Sequence, residues 1–233
     1  MDRDRRNQLI CLWAGPLGYG LFGIGFWPVA GFVPPLLPSW GAGEISAVYQ
    51  GDTNGILAGM LIIMPGVAML AACFAGFTVQ LKRMANGPSP YAAATMIASS
   101  LVLISFFVCP VFMAAAAFRP ERSPEITLLM NDLSWIALVT PAAPAIVQAV
   151  MIGCAIFAEP EQTRTIPRWA GYFCFWCAVL FIPGALACIF KTGPFAWNGL
   201  LAFWLAAWLF GGWVLVMTLV FARAVRNQKG RAA

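Results

Sequence analysis

Residues 55–81 read GILAGMLIIMPGVAMLAACFAGFTVQL, a stretch without one charged side chain, closed at once by Lys82 and Arg83. About 20 helical residues at 1.5 Å rise cross a hydrocarbon core about 30 Å thick. A run of this length ended by two cations therefore reads as a transmembrane helix with its C-terminus at the cytoplasmic face. Five further apolar runs, at roughly 8–33, 92–117, 133–157, 169–190 and 197–222, have comparable length. The expected fold class is all-α: a polytopic transmembrane helical bundle, six spans arranged as three hairpins, in a single domain over residues 1–233. The chain is 61% hydrophobic and 10% charged, with mean hydropathy +0.80. Little is left for a soluble domain, so function is expected in the bundle or on its rims.

The net charge of +5 is unevenly placed. With the N-terminus inside, eleven cations are cytoplasmic: Arg3, Arg5, Arg6, Lys82, Arg83, Arg164, Arg168, Arg223, Arg226, Lys229 and Arg231. Only Arg119, Arg122 and Lys191 are outside, against Glu44, Asp52, Glu121, Glu125 and Asp132. Both termini are thus expected in the cytoplasm, with the protein in the cell inner membrane. Membrane lipids are the expected partners, anionic heads meeting the tail RAVRNQKGR. No basic patch interleaves with aromatics on a soluble element, which speaks against nucleic acid. Met1–Arg6 followed by an apolar run starts like a signal peptide, but the run is too long and no clean cleavage site follows. It reads as an uncleaved first span.

Cofactor and metal chemistry find little support. The chain has no histidine, the usual haem ligand and the commonest transition-metal ligand. All seven cysteines fall in expected spans, and Cys174-Phe-Trp-Cys177 lies mid-helix, where a thiol behaves as a small hydrophobe. No cofactor and no metal site is expected.

Between spans, LKRMANGPSP and AEPEQTRTIPR form compact inner loops. The first outer connection is the longest, and its Gly43–Gln50 part reads as a short amphipathic helix with Ile45, Val48 and Tyr49 on one face. Ser123-Pro-Glu125 signals a helix start, so span 4 should project beyond the membrane. FKTGPFAWNG reads as a tight turn. Trp40, Trp135 and Trp197 are expected at the outer interface as an aromatic belt, and Trp169 at the inner one. Trp204, Trp208 and Trp213 are expected on a broad common face of span 6. Gly18, Gly20, Gly23 and Gly25 in span 1 and Ala92–Ala94, Ala98 and Ser99 in span 3 read as close-packing positions, with Gly211-Gly212 loosening span 6.

Proline marks the candidate site. Pro28, Pro65, Pro110, Pro141, Pro144 and Pro183 come from five spans and fall in one layer of the outer half. Each removes a helical hydrogen bond that neighbours, side chains or water must cover. Thr140-Pro-Ala-Ala-Pro144 is the strongest break. A free carbonyl near Thr140 and the amide of Gln148 offer polar contacts to a ligand. Spans 1 and 5 share Trp-Ala-Gly at Trp13–Gly15 and Trp169–Gly171, each followed by a later proline, in the manner of a hairpin repeat. No acid or base lies at the centre of a span, where proton-coupled transporters usually keep one. The nearest, Asp132, is expected to pair with Lys191 or Arg119, with KTGPFAWN folded over the proline layer as a lid.

The motifs FRPER-PEIT-L-NDL-W before span 4, PRW-GY and FKTGPFAWNG resemble those of a group of bacterial multi-pass membrane proteins of about this length. The resemblance implies six spans, carries no established activity, and implies no catalytic residue. It directs attention to Arg119, Pro120, Asn131, Asp132, Trp135, Lys191–Phe195, Trp197 and Asn198.

Three functional readings stay open. The first is binding or transport of an apolar or amphiphilic small molecule through an outward-facing pocket in the outer half, its ligand-binding residues being Asp132, Gln148, Thr140, Lys191, Trp197 and Asn198. The second is a non-catalytic subunit of a larger membrane complex, with a membrane-protein partner or a homo-oligomer. The third is a membrane enzyme on a lipid or terpenoid with Asp132 or Glu125 as general acid, although one interfacial acid without a base is thin support.

Overall fold

The structure, a computed structural model, describes residues 3–228. Asp2, Lys229 and Arg231, which enter the charge count, lie outside the described residues. The described chain is all-α. Six helical segments are long and apolar enough to cross a membrane: Arg3–Val29, Thr53–Met84, Pro90–Ala117, Pro124–Ala158, Arg168–Cys188 and Leu200–Arg226. They are spans 1 to 6 below. The protein is thus a multi-pass helical bundle. One end carries both described chain ends, and the other carries the long first connection; these are called the terminal end and the loop end.

Local chemistry sets the helix starts. Helix α1 (Arg3–Ile24) opens span 1. The short helix α2 (Ala42–Gly51) begins where the Gly41 N–H donates to the Glu44 carboxylate at 2.8 Å. In α3 (Thr53–Met84) the Asp52 carboxylate accepts from Gly55 N–H at 2.9 Å, and Ser89 Oγ caps α4 (Pro90–Ala117) through Ala92 N–H at 3.3 Å. Span 4 starts at Pro124, nine residues ahead of its apolar run, and comprises α5 (Pro124–Val139) and α6 (Ala142–Ala158). Ahead of α7 (Arg168–Leu180), the buried Glu159 carboxylate takes hydrogen bonds from Thr165 N–H, Thr165 Oγ1 and Ile166 N–H.

The spans form a ring in chain order, with span 6 closing against spans 1 and 5. Spans 1 and 2 meet most intimately, through glycine. A Cβ on Gly18 would stand 2.3 Å from the Gly66 carbonyl oxygen, and one on Gly25 would stand 2.6 Å from that of Gly59. Backbone packs directly on backbone, as small residues permit in lipid. Gly20 and Gly23 face open space instead.

At the terminal end five polar side chains form a closed hydrogen-bonded cycle. Gln8 donates to Asp4 (2.9 Å), Gln80 to Gln8, Gln228 to Gln80 (2.8 Å), and Arg83 to both Gln228 and Asp4 (2.6 Å each). The cycle ties the ends of spans 1, 2 and 6 together.

Several expectations are corrected. Pro65 and Pro110 leave α3 and α4 uninterrupted, since one missing donor costs a long helix a single hydrogen bond. Trp213 does not share a face with Trp208: five residues is about 500° of helical turn, so Trp213 is buried against Phe74, Phe77 and Phe210. Trp135 and Trp197 are interior, not belt, residues, because each indole N–H finds a buried acceptor. Helix α9 (Ala206–Arg226) runs straight through Gly211-Gly212; Gly211 leaves room for the Tyr19 ring. The stretch after Cys188 is not one tight turn but a chain of turns, with Gly193 at φ +82°.

Candidate functional site

Where spans depart from the α-helix, they do so around one cavity. Pro28 has no N–H, and span 1 widens into a π-turn over Gly25–Val29, with Ala30 N–H reaching back to the Gly25 carbonyl at 2.9 Å. Span 6 begins in a π-helical stretch, Leu200–Leu205, tied to the preceding turn by Leu201 N–H on the Pro194 carbonyl at 2.9 Å. Span 5 breaks at Phe181, between α7 and the short helix α8 (Ile182–Ala185), which carries Pro183 in its first turn. Span 4 breaks outright. The Ala142 N–H turns back to the Thr140 carbonyl at 2.7 Å, and Pro141 at φ −74°, ψ 58° is the centre of an inverse γ-turn.

Between these irregular segments and the regular α4 lies a cavity of about 230 Å³. Span 1 contributes Tyr19, Phe22, Phe26 and Trp27; span 3, Val102, Ser105 and Phe106; span 4, Leu138, Val139, Pro141, Ala142 and Ala145; span 5, Phe181 and Gly184; span 6, Ala202, Phe203, Trp204, Trp208 and Phe210. The two side-chain hydroxyls in the wall are already engaged: Tyr19 donates to the Ala207 carbonyl at 2.6 Å and Ser105 to the Leu101 carbonyl at 3.2 Å. The wall is therefore apolar and rich in aromatic rings. Irregular backbone at membrane depth is tolerated where it is buried in protein or lines a cavity, and here it lines one.

The cavity has a roof and an exposed flank. Trp135, fully buried, stacks on Trp197 with centroids 6.4 Å apart and sets its edge on Phe26 and Phe203 of the wall. Its N–H donates to Asn131 Oδ1 at 3.1 Å, which also accepts from the Tyr49 hydroxyl at 3.2 Å. Trp197 N–H donates to the Leu36 carbonyl at 2.8 Å. These bonds hold the first connection, span 4 and the 189–199 turns together over the loop end of the cavity. On the flank, Trp27 is 55% and Trp208 70% exposed, and Gly23 beside them meets nothing. The wall thus reaches the bundle surface at spans 1 and 6, beside the Tyr19–Ala207 hydrogen bond.

The residues singled out from sequence fall in three places. Trp197 is in the roof, with Asn198 half-buried beside it in the same turn. Asp132 is half-buried there too; Asn131 Nδ2 approaches it at 3.4 Å, and the exposed Lys191 acts on it through its charge without forming an ion pair within 4 Å. Thr140 stands at the break of span 4, its hydroxyl buried and unpartnered. Gln148 lies one turn beyond Ala145, fully buried; its amide N–H donates to Ser99 Oγ at 2.7 Å, while its carbonyl oxygen is unpartnered. None of the six lines the cavity itself. The wall's aromatic residues in spans 1 and 3 were not anticipated, although Tyr19, Phe22 and Phe26 recur at helical spacing.

The seven cysteines are free, and among the described residues no three Cys, Asp or Glu side chains gather as a metal-ligand group. Comparison with known proteins finds no matching family model, no matching curated protein and no matching solved structure.

Proposed function

We propose that this protein binds an apolar or amphiphilic small molecule in the cavity, which lies in the outer half of an inner-membrane bundle whose termini are both cytoplasmic. One observation carries the reading: the irregular segments of four spans converge on a single apolar space whose wall reaches the bundle surface at Trp27 and Trp208. Sites of this kind are concave, mostly apolar and largely pre-formed. The space exceeds the engineered apolar cavity of about 150 Å³ that takes up benzene. The distribution of cations supports the orientation, and the resemblance to bacterial multi-pass proteins supports an inner membrane. Entry between the exposed Trp27 and Trp208 suits a compound already dissolved in the bilayer, and membrane lipids are its natural neighbours.

The test is native mass spectrometry of the protein extracted in mild detergent, beside Ala206→Phe, which fills the cavity from a half-buried position in its wall. Unaltered protein should carry a small apolar adduct, or take up an environment-sensitive naphthalene fluorophore, and Ala206→Phe should do neither. Equal retention by both proteins, or by neither, defeats the proposal. A stoichiometric polypeptide in place of the small molecule makes the protein a subunit of a larger complex.

A further inference from the structure

We infer that the cavity selects a lipophilic compound bearing a hydrogen-bond donor, a hydroxyl or an amine, and that the broken backbone of span 4 receives it. The inference rests on the proposed binding function and adds the chemistry of the ligand.

The argument starts from what proline removes. In an unbroken helix the N–H groups of residues 141, 142 and 144 would serve the carbonyls of Ala137, Leu138 and Thr140. Pro141 and Pro144 have no N–H. Ala142 spends its own on Thr140, at 2.7 Å. Thr140 N–H goes to the Ile136 carbonyl at 3.0 Å. Ala143, the helical partner of the Val139 carbonyl, keeps its N–H, but no turn brings it back to Val139; the carbonyls of residues 137, 138 and 139 thus outnumber the donors left at the break. No hydrogen-bonded turn spans residues 140 and 141, so the Leu138 and Val139 carbonyls take no N–H from the turn that follows, and the Thr140 hydroxyl beside them is buried and unpartnered.

The two carbonyls belong to residues of the site, and Thr140 stands beside it. Leu138, Val139, Pro141 and Ala142 are all wall residues. The Val139 carbonyl oxygen lies only 3.1 Å from where a Cβ on Gly184 would stand, and Gly184 is itself in the wall across span 5. A side chain there would press on the carbonyl, and glycine spares it that contact. The break is also the C-terminal end of α5, where the helix dipole is negative. Discontinuous membrane helices offer released carbonyls to ligands and cations in the same way. Around these acceptors stand aromatic faces, which take an apolar body or, over their π-systems, an ammonium. The cavity wall holds no acid to receive a charge and no base to receive an acid. An apolar body with one donor satisfies both halves of the site, whereas a donor-free hydrocarbon leaves the buried carbonyls unpaired.

The experiment uses full-length protein in detergent micelles, with a naphthalene fluorophore in the cavity. Three competitors share one body: 4-butylbenzyl alcohol, 4-butylbenzylamine and 4-butylbenzyl methyl ether, which accepts but cannot donate. After correction for partition into empty micelles, the alcohol or the amine should displace the fluorophore about three- to tenfold more tightly than the ether. Whichever of the two leads shows whether the donor is neutral or cationic. Pro141→Ala with Pro144→Ala returns two N–H groups to the helix. It should keep ether binding and bring the alcohol's advantage close to one. Equal binding of all three by unaltered protein overturns the donor inference and leaves the proposed function standing. Failure of all three to displace the fluorophore defeats the function as well. An advantage that survives in a folded double-alanine protein overturns the assignment to span 4. The ranking on unaltered protein decides even if that variant does not fold.

Discussion

Asn131 shows how much one buried amide organises here. It is fully buried, and its oxygen accepts from both Tyr49 and Trp135, two of the largest buried side chains. Removing the shared acceptor strands two donors, whereas removing one donor leaves the other bond intact. Asn131→Leu should therefore destabilise the protein by about 2–4 kcal/mol, and Tyr49→Phe by about 1 kcal/mol or less. Thermal unfolding in detergent, followed by tryptophan fluorescence, measures both; equal effects would mean that the roof does not hang on Asn131. Trp135 and Trp197 looked like belt residues because an indole near a span end has two good solutions, the bilayer interface or a buried acceptor. Which one it takes depends on Asn131 and the Leu36 carbonyl, which only the fold brings within reach.

At the scale of elements, the same residue type has opposite consequences. Pro65 and Pro110 are absorbed by long helices, but at Pro141, with Pro144 three residues on, the helix opens at Thr140–Pro141 and restarts at Ala142. Glycine divides in the same way. Gly18→Ala pushes a methyl group into the Gly66 carbonyl and should cost about 1–3 kcal/mol. Gly20→Ala meets open space and should stabilise by up to about 1 kcal/mol through helix propensity. Thermal midpoints moving in opposite directions would verify the backbone contact between spans 1 and 2; a shared direction would refute it. The polar cycle at the terminal end makes a third prediction. Gln80→Leu removes one link and strands its neighbours on Gln8 and Gln228. Loss of about 1 kcal/mol of closure should raise maleimide labelling of the buried Cys73, two turns along α3, roughly fivefold by peptide mapping. An unchanged rate would mean the cycle does not hold that end shut.

For the whole molecule, six crossings put both termini on one side. A reporter after Ala233 should behave as cytoplasmic and one within 51–54 as external; the reverse result would invert the proposed orientation while keeping the bundle. Six spans, the projecting start of span 4 at Pro124 and the short helix over Ala42–Gly51 were legible in the chain, because apolar run length, capping residues and helical periodicity are local properties. Thr140–Pro144 was legible as the strongest break. What could not be read was which face of each span turns inward. In lipid both faces of a helix are apolar, so periodicity loses the contrast that marks a buried face in water. Only tertiary packing, set by glycine contacts such as Gly18 on Gly66, decided that Gln148 and Thr140 stand beside the cavity while Tyr19, Phe22, Phe106 and Phe203 form its wall.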